Sequence, residues 1–358
     1  MNVIQIISND RRDRFRYTQV QMKASVIILN YNGLYDTIRC VQSLLADDHP
    51  DKEIIVWDNG SNRDEASDLQ EMFPGIVVVR HDRNLLYAGG NNRAASLATG
   101  DILIFLNNDT EVDRRWLEPL LGAFENNPTL GACQPKICSW YQHDQFDFAG
   151  GCGGFFDCIG LPYSRGRVIS TMERDTGQYD VVSDDLDWVS GACFAVRRQV
   201  FIDAGTFDPD LGMYDEEFDL SWRILNRGHS LGCSPASVIY HKGGQTWMGA
   251  SDVVCFYRHR NNLLTIVKNA NASTLVLMLM IRLPLEILAP LFYLYTRNRR
   301  CALAPLRSLV SFIKLFPKFF AKRRKFKASS IIPWNRPLLL WRYFMRKQKT
   351  FGAMHSII

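Results

Sequence analysis

Short apolar runs alternate with segments of helical spacing through the first third of the chain. Ser25-Val-Ile-Ile-Leu29, Glu53-Ile-Ile-Val-Trp57, Ile76-Val-Val-Val79 and Asp101-Ile-Leu-Ile-Phe-Leu106 are almost unbroken apolar stretches. That pattern belongs to strands buried on both faces rather than to half-exposed ones. Between them, apolar residues recur at helix spacing in 37–45 (Ile38, Val41, Leu44, Leu45), in 88–98, opened by Gly89 and Gly90, and in 116–126. A polar stretch that includes 64–72 follows the second run. Strands alternating with helices predict an α/β fold, with a mostly parallel sheet covered by helices on both faces. The chain has no internal repeat and no low-complexity tract.

Sheets of this kind bind ligands beyond the carboxyl ends of their strands, near a switch in strand order. Each predicted strand here ends in a polar cluster: Asn30-Tyr31-Asn32-Gly33, Asp58-Asn59-Gly60-Ser61, Asn84 through Gly89-Gly90-Asn91-Asn92, and Asn107-Asn108-Asp109-Thr110. One such cluster is ordinary turn chemistry, whereas four at successive strand ends point to a nucleotide site. The Tyr31 ring is suited to stacking on a base, and the Asp58 carboxylate to accepting hydrogen bonds from base or sugar. Gly90 at a helix start would let backbone approach a phosphate. Asp109 offers a hard oxygen ligand for Mg²⁺ or Mn²⁺ beside a diphosphate. Neither GxxxxGK[ST] nor GxGxxG occurs, which argues against a P-loop enzyme and a dinucleotide oxidoreductase.

Further along, Asp215, Glu216, Glu217 and Asp219 crowd four carboxylates into five positions. Clustered like charges raise at least one pKa toward neutrality, as a general base requires. The plainer alternative is an acidic helix start facing the positive end of the dipole. Asp219 either orients an acceptor or pairs with Arg223 one turn on. His241 is read either as a metal ligand or as a loop histidine. Residues 188–196 read as a strand entering the acceptor side, with Phe194 and Val196 in the core and Gly191 allowing close approach. The glycine-rich stretch 150–160 reads as a mobile loop near the acceptor.

Composition sharpens the picture at the C-terminal end. With 358 residues, 47% of them hydrophobic, the chain is long enough for two domains, or for one domain with a large appendage. Disordered, collagen-like and disulfide-scaffold classes are excluded. Residues 251–358 hold 20 Lys and Arg against 2 Asp and Glu, while residues 1–250 hold 22 against 35. Such asymmetry implies that one part meets an anionic surface. The apolar run 274–295 is long enough to cross a bilayer, yet it carries Arg282, Glu286 and two prolines. A second apolar stretch, 306–320, precedes Lys322-Arg-Arg-Lys325 and Lys327. Apolar faces beside basic clusters predict helices lying in the interface of an anionic membrane, ahead of a true span or a soluble helical subdomain. No nucleic-acid reader motif is present. The nine cysteines include no CxxC pair and read as reduced, mostly buried thiols in a reducing compartment. Residues 1–23 lack an apolar run of signal-peptide length and read as a polar, basic leader.

Taken in order, SVIILNYNG, VWDNGS, NLLYAGGNN, FLNNDT, WVSGACFAVRR, FDPDLGMYDEEFDLSWRI and YHKGGQT resemble the family 2 glycosyltransferases, in particular the rhamnosyltransferase-like branch that builds bacterial surface polysaccharides. The resemblance spans about residues 24–247. It implies a GT-A fold, a nucleoside-diphosphate-sugar donor, a divalent metal (Mn²⁺ or Mg²⁺) and inversion at the anomeric carbon. Carried onto this sequence, it implies that Tyr31 stacks on the base and Asp58 binds base or ribose. Asn30, Asn32, Asn84, Gly90, Asn91, Asn107 and Asn108 complete the donor-binding set. Asn107-Asn108-Asp109 stands at the DXD-type motif, with Asp109 and His241 on the metal and Asn107 in place of the first Asp. Glu216-Glu217 stands where the family has Glu-Asp, so that the base is Glu217 or Glu216. Leu86 replaces a usual glycine.

The expectation is therefore a leader over 1–23, a GT-A-like domain over 24–250 and a basic helical membrane-associated region over 251–358. The implied activity is inverting transfer of a sugar, rhamnose being the first candidate, to a lipid-linked or polysaccharide acceptor at the cytoplasmic face of the cell membrane. Two rivals are a non-catalytic nucleotide-sugar-binding scaffold of the same fold and a nucleotidyltransferase. Nucleic acid is not an expected partner.

Overall fold

The computed structural model describes residues 22–47, 49, 52–243, 251–325, 336 and 338–355. The expected leader, except for its last two residues, lies outside the described residues, as do the end of the YHKGGQT segment and Lys327.

The apolar runs form β1 (Ala24–Asn30), β2 (Lys52–Asp58), β3 (Val77–Arg80) and β4 (Ile102–Asn107). After them come β5 (Thr110–Val112) and β6 (Leu130–Ser139), then the short β7 (Gly154–Phe156), β8 (Pro162–Ser164), β9 (Arg167–Val168) and β10 (Thr171–Met172). The last strands are β11 (Cys193–Arg197) and β12 (Ser230–His241). Eight strands make the main sheet, in the order β3-β2-β1-β4-β11-β6-β12-β5. The four N-terminal strands pair in parallel, β11 runs antiparallel to both neighbours, and β12 is parallel to β6 and antiparallel to β5. The sheet is therefore mixed beyond β4. The chain moves outward from β1 to β3 and then returns to the other side of β1 with β4, so that strand order reverses between β1 and β4.

Helices α1 (Leu34–Leu45), α2 (Glu65–Met72) and α4 (Leu117–Asn126) cover one face of this sheet, where Val26, Ile28, Val41, Ile104 and Leu120 share a core. On the other face α3 (Leu86–Ala95), numbered by chain position, and α5 (Arg198–Asp203) pack with the small antiparallel sheet β10-β9-β8-β7. The polar stretch 64–72 is α2, capped by Asp64, whose side chain accepts from Ser67 N at 3.3 Å.

Three local expectations are corrected. Gly89 and Gly90 do not open α3, because the helix begins at Leu86 and Gly90 lies inside it. A Cβ at Gly90 would come 2.5 Å from Leu29 Cδ1, so glycine there serves the close packing of α3 on β1. The strand expected over 188–196 forms only from Cys193, and Trp188 instead turns its indole N–H to the Phe155 carbonyl at 3.0 Å. The glycine-rich stretch is an interior run, not a surface loop: a Cβ at Gly154 would sit 1.8 Å from the Trp188 ring, which lies flat on this backbone.

After α6 (Glu216–Leu225), the chain continues into α7 (Ser251–Asn269), α8 (Ala272–Tyr295) and α9 (Ala304–Lys322). These helices close a third core around Trp188, Phe218, Trp222, Leu264 and Phe312. The chain ends in α10 (Leu339–Phe344) and α11 (Phe351–His355), whose Tyr343 and Phe351 pack back onto the small sheet. Cys255 and Cys301 are joined by a disulfide, whereas the other seven cysteines are free and six of them buried. The expectation of thiols alone is corrected to that extent; the pair is 46 residues apart, a separation no sequence motif marks.

Candidate functional site

A cavity of about 520 Å³ opens at the carboxyl edge of the parallel strands, over the reversal between β1 and β4. Tyr31, Asn84, Asn107, Asn108, Asp109, Glu216, Glu217 and His241 line it. Asn30, Asn32, Asp58, Gly90 and Asn91 do not reach it. Asn30 and Asp58 are wholly buried behind the wall, where Asn30 Nδ2 donates to Asp58 Oδ1 at 3.2 Å and to Glu65 Oε2 at 2.9 Å. Asp58 also holds the turn after β2, accepting from Ser61 N at 3.3 Å, and leaves its Oδ2 without a hydrogen bond. Asn32 accepts from Asn62 N at 2.8 Å, and Asn91 bonds the Tyr87 carbonyl within its own helix.

Asn59, not singled out in the sequence as a site residue, shapes one wall of the cavity. Its amide donates to Asn84 Oδ1 at 2.9 Å and to the Leu86 carbonyl at 3.2 Å, while its carbonyl accepts from Leu85 N at 3.0 Å. These bonds hold Leu86 at φ 59°. A glycine would occupy that left-handed region freely, and a leucine does so at a cost of roughly 1 kcal/mol.

The metal-binding expectation falls on one compact group. His241 ends β12 and Asp109 follows β4; His241 Nε2 lies 3.2 Å from Asp109 Oδ1 and 3.4 Å from Asn107 Nδ2. The other ring nitrogen, Nδ1, donates to Asp147 Oδ1 at 2.9 Å. Burial would lower the histidine pKa, yet the two flanking carboxylates hold it up at about 10. A carboxylate oxygen and an imidazole nitrogen meeting at the cavity, with a second carboxylate fixing the ring from behind, is a donor set that fits a divalent cation. Among the described residues, no group of three or more His, Cys, Asp and Glu comes together for a metal. The protein would therefore supply two ligands and leave the remainder to a diphosphate and water.

Across the cavity, α6 begins with three carboxylates. Tyr214 and Asp215 both take φ 63°, so two successive residues are left-handed before the helix starts. That costly turn is held from α7, where the Asn261 amide donates to the carbonyls of Leu211 at 3.0 Å, Met213 at 2.7 Å and Tyr214 at 2.7 Å. Glu217 faces Gly191, at which a Cβ would lie 3.4 Å from the Glu217 carboxyl carbon. Burial lifts the Glu217 pKa to about 7, against the pull of Arg258. Burial and the neighbouring Glu217 charge push Glu216 well above the usual carboxylate range, and its Oε2 is buried without a hydrogen-bond partner. Asp219 points away from the cavity. It is fully buried and pairs with Arg223 at 2.8 Å, the i,i+4 alternative, and also with Lys268 of α7 at 2.8 Å.

Asp147, Arg167, Trp188, Ser190 and Arg258 also line the cavity, and neither spacing nor pattern singles them out as site residues.

A family model, Glycosyl transferase family 2, matches residues 25–204. O-antigen biosynthesis protein RfbC of Myxococcus xanthus is 30% identical over 233 residues, 64% of this chain and 18% of that protein. Polypeptide N-acetylgalactosaminyltransferase 10 of Homo sapiens is 28% identical over 242 residues, 63% of this chain and 39% of its own. The chain thus spans well under half the length of either relative. Among solved structures, GalNAc-T7 with UDP, GalNAc and Mn²⁺ superposes with a TM-score of 0.56 at 22% identity, covering 72% of this chain and 49% of that one. The mannosyltransferase PcManGT from Pyrobaculum calidifontis, in complex with GDP-Man and Mn²⁺, superposes with a TM-score of 0.52 at 15% identity, covering 82% and 88%. Matched over half its length by the family model, and sharing the GT-A layout of these structures, the chain belongs to glycosyl transferase family 2.

Proposed function

We propose that this protein is an inverting, metal-dependent glycosyltransferase that moves a sugar from a nucleoside-diphosphate donor to a lipid-linked or polysaccharide acceptor. The observation that carries this reading is that Asp109, His241 and Glu217 all line one cavity. Rhamnose remains the first candidate sugar, by resemblance alone. Residues 24–250 are the catalytic domain, braced by α7, α8 and α9 of the 251–358 region.

Glu217 is the base. Burial holds its pKa up at about 7, which leaves much of it ionised at neutral pH, and its carboxyl is the one that faces Gly191; burial and the neighbouring Glu217 charge push Glu216 well above the usual carboxylate range. The acceptor hydroxyl oxygen attacks the anomeric carbon from the side opposite the leaving group and forms the new C–O bond. Its proton passes to Glu217, and the bond from the anomeric carbon to the donor phosphate oxygen breaks with inversion. Asp109 and His241 would hold the divalent cation, Asp147 fixing the imidazole; when bound, the cation neutralises the charge that develops on the diphosphate. Tyr31 stacks on the base, and Asn84, Asn107 and Asn108 bind polar groups of the donor. Asn30, Asp58, Gly90 and Asn91 act on the donor only by shaping the wall behind these residues, and the exposed Asn32 only by tying down the loop at Asn62. Turnover of the donor by Glu217→Gln and Glu216→Gln variants tests the assignment: Glu217→Gln abolishes transfer while donor binding persists. Equal activity of both variants and the parent contradicts it.

The membrane reading is supported by how α8 places its charges. Arg282 and Glu286 pair at 2.8 Å on the face turned to α7, and Glu286 also meets His259 there. The opposite face exposes Val276, Met280, Ile287 and Leu291, with Met280 68% and Leu291 64% accessible. Leu306, Val310 and Ile313 of α9 and Trp341 and Phe344 of α10 add exposed apolar surface. Arg297, Arg299, Arg300, Arg307 and Lys314 stand exposed on these same segments. Among the described residues, α8 is the one helix long and apolar enough to cross a membrane. Its buried ion pair and bonded partners favour a helix that lies in the interface of an anionic leaflet. The cytoplasmic face is the side on which nucleotide sugars are met.

A further inference from the structure

Lys242, Arg167 and Arg258 line the cavity, and among the described residues only Lys242 of the three forms an ion pair. Lys242 pairs with Asp36 and lies 5.0 Å over the Trp140 ring. Arg167 and Arg258 both stack on Phe148, their guanidinium carbons 4.3 Å and 5.4 Å from its ring centre. Among the described residues neither forms an ion pair with a carboxylate. Arg167 is only 5% exposed, and its Nε is buried without a hydrogen-bond partner. Burial, and after it the charge of Arg258, disfavours the charged form of Arg167, against the smaller pull of Asp147. Two like charges held together on one phenyl ring, one of them buried, destabilise the protein unless an anion joins them. A buried cation with no directly bonded carboxylate and an unpartnered Nε is costly, and such costs concentrate where a ligand binds.

We propose that Arg167 and Arg258 form an anion subsite that holds the phosphate or diphosphate of the acceptor. This rests on the glycosyltransferase reading above and deepens it by naming the acceptor class. Arg258 lines the same cavity as Glu217 and lies 5.9 Å from the ring centre of Tyr214, three residues before it, so the subsite adjoins the base and thus the attacking hydroxyl. An acceptor that fills both places carries its nucleophilic hydroxyl on a sugar attached, directly or nearly so, to a phosphate. A sugar on a lipid diphosphate has that form, and a neutral polysaccharide end does not. Guanidinium groups suit the task through bidentate hydrogen bonding to phosphate oxygens. The donor diphosphate offers the same chemistry, but Asp109 and His241 already provide a cation site for it.

The full-length protein, loaded with saturating Mn²⁺ and whichever of UDP, GDP and dTDP binds it, is titrated with farnesyl diphosphate. Farnesol is the control for binding of the chain alone. The parent binds the diphosphate at least tenfold more tightly than the alcohol. Arg167→Met and Arg258→Gln each remove that preference and leave the nucleotide affinity within twofold. Arg167→Met also melts at a higher temperature than the parent, which a purely structural arginine would not do. Arg258→Gln repeats the test at a half-buried position, away from the packed core. Loss of nucleotide affinity in these variants would assign the arginines to the donor. An unchanged preference for the diphosphate would remove the subsite altogether. If no nucleotide binds the parent, the glycosyltransferase reading fails; a preference for farnesyl diphosphate that depends on both arginines would still sustain the anion subsite itself.

Discussion

His241 is held from both sides: its Nδ1 donates to Asp147 Oδ1 at 2.9 Å while its Nε2 lies 3.2 Å from Asp109 Oδ1. Asp147 fixes the ring plane and keeps the proton on Nδ1, so Nε2 is the nitrogen that gives up its proton to take a cation. Removing such an outer partner typically costs 10- to 100-fold in metal affinity. Asp147→Ala is therefore expected to weaken Mn²⁺ binding about tenfold or more, read from the metal concentration needed for half-maximal nucleotide binding. An unchanged requirement would detach Asp147 from the metal.

The raised pKa of Glu217 predicts the direction of two pH effects. Transfer needs the ionised form, so kcat rises with pH through about 7 and then levels. Stability moves the other way. A carboxyl whose folded pKa exceeds its unfolded value binds its proton more tightly when folded, so it stabilises the fold at low pH. That contribution is lost as pH rises from about 4.5 through about 7. Glu217→Gln should then melt above the parent at pH 8 and converge with it at pH 4. Parallel melting curves across that range would contradict the buried-base account.

Asn261 connects the C-terminal helices to the turn that carries Glu216 and Glu217. Its amide serves three carbonyls in the left-handed turn that launches α6. Asn261→Ala leaves these acceptors without their donor, at a cost of roughly 1–3 kcal/mol. The turn should loosen, so kcat falls while the affinity for nucleoside diphosphate is kept. Equal losses in both would show that Asn261 only supports the fold.

Met280, Ile287 and Leu291 form one exposed face of α8, opposite its ion pair. Met280→Glu with Leu291→Glu should abolish sedimentation with vesicles rich in anionic lipid and leave the melting temperature within about 2 °C, since surface changes rarely exceed roughly 0.5 kcal/mol. Retention on the vesicles would move the membrane contact elsewhere.

Much of the parallel half of the fold was legible in the sequence, because strands buried on both faces are written as unbroken apolar runs. The residues after β1 and β4 were also legible, and Tyr31, Asn107, Asn108 and Asp109 all reach the cavity. Asn30 and Asp58 share the same polar clusters, but they are register partners at the ends of β1 and β2 and their side chains turn into the interior; Asn107, at the end of β4, is in register with Leu29 instead, so its side chain falls on the other side and reaches the cavity. Gly90 shows a second limit: glycine before a helix and glycine beneath a neighbouring strand look alike until the helix start is known. Asp147, Arg167, Arg258 and Asn261 were not legible, because their roles depend on contacts between elements far apart in the chain. Asp147 meets a histidine 94 positions away, and Asn261 a turn 47 positions away. The disulfide between Cys255 and Cys301 was hidden for the same reason.

The most direct test of the account is thermal stabilisation of the protein by UDP, GDP and dTDP, each with Mn²⁺ or with chelator, beside Asp109→Ala. The account predicts that one nucleotide raises the melting temperature only when Mn²⁺ is present, since a ligand at 100 times its Kd adds about 2.7 kcal/mol of stability. It also predicts that Asp109→Ala abolishes the shift. No shift with any nucleotide, or a shift indifferent to both Mn²⁺ and Asp109, would contradict the assignment of this cavity as a metal-dependent donor site.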